Sequence, residues 1–445
     1  MDQARKLAGD LLTKITKENL HSGTVLDEAL SGDKLSIQDK AFVTELVYGS
    51  LARLYSIDRM IMNYSKVKLK KMEDQVLSQL RLAIYQIKYL DRVPSFAAVS
   101  EAVTIVRKKS PRGGGFVNGV LRSILRDEKP LKFKDEVEEL AFEFSLKPDL
   151  VRHFMAEFPQ RYKEVMAALV QAEGICIRIN VDQISPKAYM ELLDEADYEY
   201  RPGWFSDQFL YLDRQGGMRS LPGYREGYFS VQNEAAALPP MVLAKTMESG
   251  LALDLCAAPG GKSAFLKEIL PDLSVIAFDL TEQKLLRMRE NFKRLGLDIK
   301  TKVADATKFL PELEDQAEGI LMDVPCSGLG LLGRKPDIRL HIDQKAMQEL
   351  SEIQLKILNN GSRYLKSGAH LIYSTCTLNR GENQDVVQKF LKEQPDFSLD
   401  DTLLMDLVEQ AHGKGLDQLV LEEGMLTVLP GQGLDGFFLA VIKKS

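Results

Sequence analysis

A chain of 445 residues, 45% hydrophobic and 27% charged, has material for about two to four domains with substantial cores. It holds no apolar run of the roughly 18 residues that a membrane span needs, and its start, Met1-Asp2-Gln3-Ala4-Arg5-Lys6, leads into no apolar signal core, so secretion and membrane insertion are not expected. The net charge of −6 is uneven: residues 1–140 carry 24 Lys+Arg against 19 Asp+Glu and the remainder 34 against 45, as though one module meets a polyanion.

Residues 1–140 read as almost wholly helical. Leu7, Leu11, Leu12 and Ile15 share a helical face, as do Phe42, Leu46, Val47 and Gly49, and Val76, Leu80, Ala83, Ile84 and Ile87. Pro94 and Ser110-Pro111 with Gly113-Gly114-Gly115 read as breaks, which divides the stretch into a bundle of five to seven short helices. Two basic clusters punctuate it: Lys66, Lys68, Lys70 and Lys71, and then Arg107, Lys108, Lys109 and Arg112 running into the glycines. A basic, glycine-rich loop lets backbone amides approach phosphates, whereas the plainer alternative is a solvated connection.

Residues 141–170 read as a helical connector and 171–235 as a small α+β module. The stretch 175–180 alternates like a strand, 186–193 is a helix with Pro186 in its first turn, and 209–212 and 227–231 are further strands. From 236 to 445 strands and helices alternate. Strands are expected at 251–255, 274–279, 299–304, 319–323 and 369–374, and helices at 261–270, 281–295, 345–365 and 382–392. A hairpin of 425–429 and 437–442 closes the chain. Such alternation argues for a mostly parallel sheet covered on both faces, with ligands at the carboxyl ends of the strands.

The turn Asp254-Leu255-Cys256-Ala257-Ala258-Pro259-Gly260-Gly261-Lys262 lies at such an end. It is not a P-loop, because Cys256 stands where the first glycine belongs. The literal dinucleotide pattern Gly328-Leu329-Gly330-Leu331-Leu332-Gly333 follows the fourth strand rather than the first, and Pro336 forbids the helix that should come next, so it is taken as a coincidence in a flexible loop. A turn of small residues does suit S-adenosylmethionine, whose backbone-facing parts need close approach. Asp279 ends the second strand where an acid meets ribose hydroxyls, and Asp305 follows the third, toward the adenine edge. Each aspartate alone reads equally as a helix cap; their recurrence at successive strand ends, with Asp254, favours a ligand.

Of the four cysteines, Cys176, Cys256, Cys326 and Cys376, none forms CxxC, and with five histidines in the chain no metal site is expected. Cys326, in Asp323-Val324-Pro325-Cys326, and Cys376, in Tyr373-Ser374-Thr375-Cys376-Thr377, both follow strands that a parallel sheet makes neighbours. A single cysteine is ordinarily a buried structural residue. Two at one active edge suit covalent chemistry on a ring that resists direct attack, such as C5 of cytosine: a thiolate adds at C6, C5 takes a methyl group, and a base removes the C5 proton so the thiol can leave. Which thiol attacks is not decided by spacing.

The motifs at 254–262, 323–328 and 373–377 resemble the RNA 5-methylcytosine methyltransferases of the Nol1/Nop2/Sun group over residues 175–445. The front half, with Val117-Asn118-Gly119-Val120-Leu121-Arg122, resembles the NusB-like RNA-binding domain. The resemblance implies an α/β fold: a Rossmann-like class I methyltransferase sheet, mostly parallel with a C-terminal hairpin, at 236–445. It is preceded by an all-helical NusB-like domain at 1–140, the connector at 141–170 and an RNA-recognition module at 171–235. It implies transfer of a methyl group from S-adenosylmethionine to C5 of a cytosine in 16S rRNA, free or in a partly assembled small ribosomal subunit, by a cytoplasmic, metal-free monomer. Carried over residue by residue, Cys376 is the nucleophile and Cys326 assists release of the enzyme. Cys256, Ala257, Ala258, Pro259, Gly260, Gly261, Lys262, Asp279, Asp305 and Asp323 bind the cofactor, with Asp323 also near the cytosine edge. The segment Gly333-Arg334-Lys335-Pro336-Asp337-Ile338-Arg339 matches a basic loop that touches RNA, although Leu329-Gly330-Leu331-Leu332 before it is more apolar than such a loop should be. Alternatives are the same chemistry on tRNA or DNA, and a non-enzymatic RNA-binding assembly or antitermination factor.

Overall fold

The computed structural model describes residues 3–18, 20–32, 35–127, 129–171, 174–213 and 218–445. Met1 and Asp2, and residues 172–173 near the start of the expected α+β module, lie outside them. The chain divides into two compact units: the described residues up to Val170 together with Leu332–Asp343, and Gln171–Leu331 together with Gln344–Ser445. No helix among the described residues is long and apolar enough to cross a membrane.

The first unit is helical: α1 (Gln3–Glu18), α2 (Ser22–Leu30), α3 (Ile37–Ala52), α4 (Leu54–Tyr64), α5 (Asp74–Tyr89), α6 (Ser95–Arg107), α7 (Pro111–Arg126), α8 (Glu136–Glu143), α9 (Pro148–Glu157) and α10 (Tyr162–Val170). The apolar stripes meet in one core, where Leu12, Ile15, Leu46, Val47, Leu80, Ala83 and Ile84 are fully buried. Side-chain caps start several helices: Ser36 accepts from Asp39 N–H, and Asp135 from Glu138 N–H.

One expectation fails here. Gly113, Gly114 and Gly115 form no loop but lie within the first turns of α7. Ser110 accepts from Gly113 N–H and Pro111 occupies the first turn, where its missing N–H costs nothing. Gly114 is buried against α6, and a Cβ there would stand 2.2 Å from Arg107 Cγ. The glycine lets two helices approach closely; it does not free a phosphate-binding backbone.

The second unit holds two sheets. β1 (Ile175–Ile179), α11 (Pro186–Glu195), β2 (Tyr200–Pro202), β3 (Phe209–Leu212) and β4 (Phe229–Val231) make a small α+β layer with antiparallel strand order β2-β3-β1-β4. The larger sheet follows α12 (Glu234–Ala244). Its elements are β5 (Leu251–Asp254), α13 (Gly261–Ile269), β6 (Ser274–Asp279), α14 (Glu282–Leu295), β7 (Lys300–Val303), β8 (Ala317–Asp323), α15 (Gln344–Ser362), β9 (Leu365–Thr375), α16 (Gln384–Glu393), β10 (Phe397–Leu399), α17 (Thr402–Gly413), β11 (Leu419–Glu422), β12 (Met425–Val428) and β13 (Phe437–Lys444). The order is β11-β12-β13-β9-β8-β5-β6-β7, with β10 on β13. The run from β9 to β7 is parallel and the strands beyond β9 are antiparallel, which is the Rossmann-like arrangement with its C-terminal hairpin.

Both faces are covered, so successive strand residues alternate between two cores. Ala252, Leu321 and Ile372 pack under Leu238, Ala264 and Leu285, while Leu253, Ile320 and Leu371 pack under Leu358, Val387 and Phe390. This packing brings the carboxyl ends of β5, β6, β8 and β9 to one edge of the sheet.

Candidate active site

The turn after β5 is shaped by contacts from its neighbours. Ala257 N–H donates to Phe278 O (2.8 Å), Ala258 N–H to Asp279 Oδ2 (3.0 Å), and the Ala258–Pro259 bond is cis. Gly260 sits at φ +96°, where a Cβ would also stand 2.9 Å from the Phe292 ring. Only glycine meets both conditions. α13 then starts at Gly261, and Ser263 Oγ–H donates to Asp254 Oδ2 at 2.5 Å.

Asp254 is buried at the floor of this turn. Burial lifts its pKa from 3.8 to about 7, against the opposing Ser263 bond and Lys262 charge. Its Oδ1 is buried with no hydrogen-bond partner among the described residues. A buried acceptor beside a turn of small residues fits a ligand that brings its own donor. Burial, and then the charges of Asp254, Asp279 and Asp323, push the Cys256 thiol up, so it is no ready thiolate.

Asp279 and Asp305, two of the three acids expected to bind the cofactor, differ in surroundings. Asp279 is buried and braced: Leu280 N–H (2.7 Å) and Lys284 Nζ (2.8 Å) donate to Oδ1, and Oδ2 takes Ala258 N–H. Asp305 closes a local turn by accepting from Thr307 N–H (3.0 Å) and Oγ1–H (2.6 Å), which hold its pKa below the usual range.

The two cysteine turns lie side by side. β8 and β9 are parallel neighbours with Asp323 opposite Ser374, and the cysteines follow immediately beyond. Cys326 Sγ and Cys376 Sγ are 3.3 Å apart. Lys262 Nζ donates to Asp323 Oδ2 at 2.6 Å, and Ser374 Oγ–H donates to Oδ1 at 3.1 Å. Burial works against the Lys262 charge, but Asp323 outweighs it and raises its pKa; Cys376 adds to the effect. Contact with Cys376, then burial, then the charges of Glu382 and Asp323 push the Cys326 thiol well up. The two thiols thus touch beside the Lys262–Asp323 ion pair, with the carboxyl groups of Glu382 and Asp323 acting on Cys326.

What fixes the two turns against each other was not visible in the sequence. Glu382, expected to start the helix 382–392, is fully buried and precedes α16. Its carboxyl group accepts from Ser327 N–H (2.8 Å), Ser327 Oγ–H, Gln354 Nε2 (2.9 Å) and Asn379 Nδ2 (2.8 Å). Ser327 comes from the Pro-Cys turn, Asn379 follows the Thr-Cys turn, and Gln354 also donates to Pro325 O (2.9 Å) from α15. The only sequence signal was the polar run Asn379-Arg380-Gly381-Glu382-Asn383, which reads equally as solvated loop.

Two further expectations are corrected. Residues 328–332 form no flexible loop: Leu329, Gly330 and Leu332 are buried, Gly330 N–H donates to Cys376 O (3.0 Å), and a Cβ on Gly330 would stand 2.0 Å from Gly436 O. Their apolar character is core packing. Nor are Asp337 and Arg339 an open RNA-touching surface. Both are buried within the first unit, where Asp337 accepts from Ser22 N–H (3.1 Å) and Oγ–H (2.8 Å) and Arg339 donates to Ala52 O and to Leu332 O (3.2 Å). Lys335 remains exposed, as do Lys66, Lys68, Lys70, Lys71, Arg107, Lys108, Lys109 and Arg112.

Comparison with known proteins agrees with this architecture. Residues 240–443 match the model of the 16S rRNA methyltransferase RsmB/F family, residues 2–126 the NusB family, and residues 149–219 the ferredoxin-like domain of RsmF/B-like methyltransferases. A probable ribosomal RNA small subunit methyltransferase B of Bacillus subtilis is 34% identical over 460 residues, covering 99% of this chain and 98% of its own. A like-named protein of Synechocystis is 33% identical over 457 residues, with both chains fully covered. The solved structure of PH0851 shares the fold, with a TM-score of 0.82 at 23% identity over 99% of each chain. Similarity along the whole length, with the helical domain in front and the two cysteine turns at one sheet edge, makes this chain a member of the RsmB/F family of 16S rRNA methyltransferases.

Proposed function

We propose that this protein transfers a methyl group from S-adenosylmethionine to C5 of a cytosine in 16S rRNA, through a covalent bond between Cys376 and C6 of the base. The observation that carries the reading is the pair of sulfurs 3.3 Å apart beside the Lys262–Asp323 ion pair. The names of the relatives support the ribosomal substrate.

Bound S-adenosylmethionine supplies the methyl group to the ring. The turn 256–262 with Asp279, Asp305 and Asp323 holds it, and the buried, unpartnered Asp254 Oδ1 beside that turn fits such a ligand. Lys262 favours the thiolate of Cys376, which adds to C6 and makes C5 nucleophilic. Asp323, held on both oxygens, is placed for the cytosine edge. Among carboxyl groups, Cys326 keeps its proton during attack and assists the later elimination, in which a base takes the C5 proton, the C–H electron pair restores the C5–C6 double bond and Cys376 leaves as thiolate. The base must leave its stack to reach the sulfur, so an unpaired cytosine is the target.

The test is labelled-methyl transfer to 16S rRNA with two variants. Cys376→Ala is expected to lose at least about 10³-fold in rate while still binding the cofactor. Cys326→Ala is expected to accumulate a protein–RNA adduct resistant to denaturing gels. Normal turnover by Cys376→Ala removes the proposal. Equal or greater methyl uptake by tRNA or DNA moves it to another substrate.

A further inference from the structure

We propose that His21, Asp337 and His341 form a binding site for one divalent transition-metal ion of the zinc type, tying the segment Leu332–Asp343 to the start of α2. One donor atom of each residue lies within 4.8 Å of those of the other two. His21 Nδ1 stands 3.7 Å from Asp337 Oδ2, and the two imidazoles meet edge to face with centroids 5.6 Å apart. Zinc–ligand bonds of about 2.0–2.2 Å place tetrahedral donors roughly 3.3–3.6 Å from one another. Closing the present spacing takes small rotations of the side chains, and the freest is His21, 83% exposed and on the solvent side.

The carboxylate is already oriented. Asp337, buried, takes Ser22 N–H on one oxygen and Ser22 Oγ–H on the other, the kind of outer hydrogen bonding that fixes a metal-bound carboxylate while leaving lone pairs for the ion. Lys147, the neighbouring cation, is committed to Leu340 O at 2.9 Å. Two imidazole nitrogens and one carboxylate oxygen suit Zn²⁺, Co²⁺ or Ni²⁺ with water completing the shell; Ca²⁺ and Mg²⁺ require more oxygen ligands. Sequence spacing offered only the four-residue step from Asp337 to His341, because His21 lies far along the chain.

The full chain, stripped with chelator, is titrated with Zn²⁺ by calorimetry and with Co²⁺ by visible absorption. One equivalent is expected to bind, with a tetrahedral Co²⁺ spectrum and a Zn²⁺-dependent rise in Tm. H21A, at an exposed position that leaves the fold intact, and H341A are each expected to weaken binding at least about tenfold to 100-fold. The paired thiols are the competing zinc ligands, so C326S/C376S is titrated alongside and is expected to bind as the wild type does. Absence of a stoichiometric ion, binding indifferent to both histidine substitutions, or binding lost in C326S/C376S overturns the site.

Discussion

The edge of the large sheet and the helical unit hold their candidate functional residues by different means. At the sheet edge each chemical group ends a strand or lies just beyond one: Asp254 ends β5, Asp279 ends β6 and Asp323 ends β8, while Cys326 and Cys376 follow β8 and β9. A few consecutive residues then carry both the turn geometry and the reactive atom. In the helical unit the exposed lysines and arginines stand on helix ends and surfaces with no local arrangement to mark a task. Chemistry at strand ends is thus written in short motifs, whereas whatever joins those motifs, or joins helices, is written across the chain. The substitutions below test that division.

The largest effect belongs to a residue no motif revealed. Glu382→Ala leaves Ser327 N–H and Asn379 Nδ2 buried without their acceptor and Gln354 with only Pro325 O, at a cost on the order of 3 kcal/mol or more. Glu382→Gln keeps the shape but puts an amide N–H₂ where an acceptor is needed, and removes the charge near Cys326. Urea unfolding should rank wild type above Glu382→Gln and that above Glu382→Ala. In single-turnover assays Glu382→Gln should lower the amount of protein–RNA adduct that Cys326→Ala accumulates, because the carboxylate that ties the two cysteine turns together is weakened as an acceptor. A surface role for Glu382 would leave stability and adduct pattern unchanged.

Asp254 belongs to the legible side of the comparison, but its energetics do not. Its folded pKa of about 7 lies above the 3.8 of an ordinary aspartate. Below both values the carboxyl group is protonated folded or unfolded. As pH rises from about 4 to about 7 the unfolded chain ionises first, so its contribution to stability falls, by up to about 4 kcal/mol, and then levels. Asp254→Asn lacks this loss. Its stability relative to wild type should therefore improve between pH 4 and pH 8, as read from denaturant midpoints; a gap independent of pH would mean that the carboxyl group is not held this way.

Gly260 shows how much of the site was readable and where reading stopped. A small-residue turn between strand and helix was evident at 256–262, and the strands at 251–255 and 274–279 fall within a residue of β5 and β6. The tightness of Gly260 against Phe292, contributed by α14, was not. Helix α12 carries a contrary sequence signal, because Pro239-Pro240 lies inside it and proline ordinarily ends a helix. Here burial of Ala237, Leu238, Val242 and Leu243 under the sheet outweighs the lost hydrogen bonds. Gly260→Ala is expected to cost about 1–3 kcal/mol through its positive φ and the ring contact, and to weaken cofactor binding measured by calorimetry. Unchanged binding would show that the turn relaxes around the added methyl.

The smallest effect separates two adjacent glycines that the sequence read as one loop. Both lie in α7, but a Cβ at Gly115 meets nothing within 4 Å, while one at Gly114 meets Arg107 Cγ at 2.2 Å. In a helix an exposed glycine costs roughly 0.5–1 kcal/mol relative to alanine, because its unfolded backbone has more freedom to lose. Gly115→Ala should therefore stabilise the protein by about that much. Gly114→Ala gains the same propensity but must push α6 and α7 apart, an overpacking penalty of about 1–3 kcal/mol, and should be the less stable of the two. Urea midpoints at constant slope distinguish them. If the triplet were a loop, neither alanine would gain helix propensity and the order of the two variants would not follow the packing of Arg107.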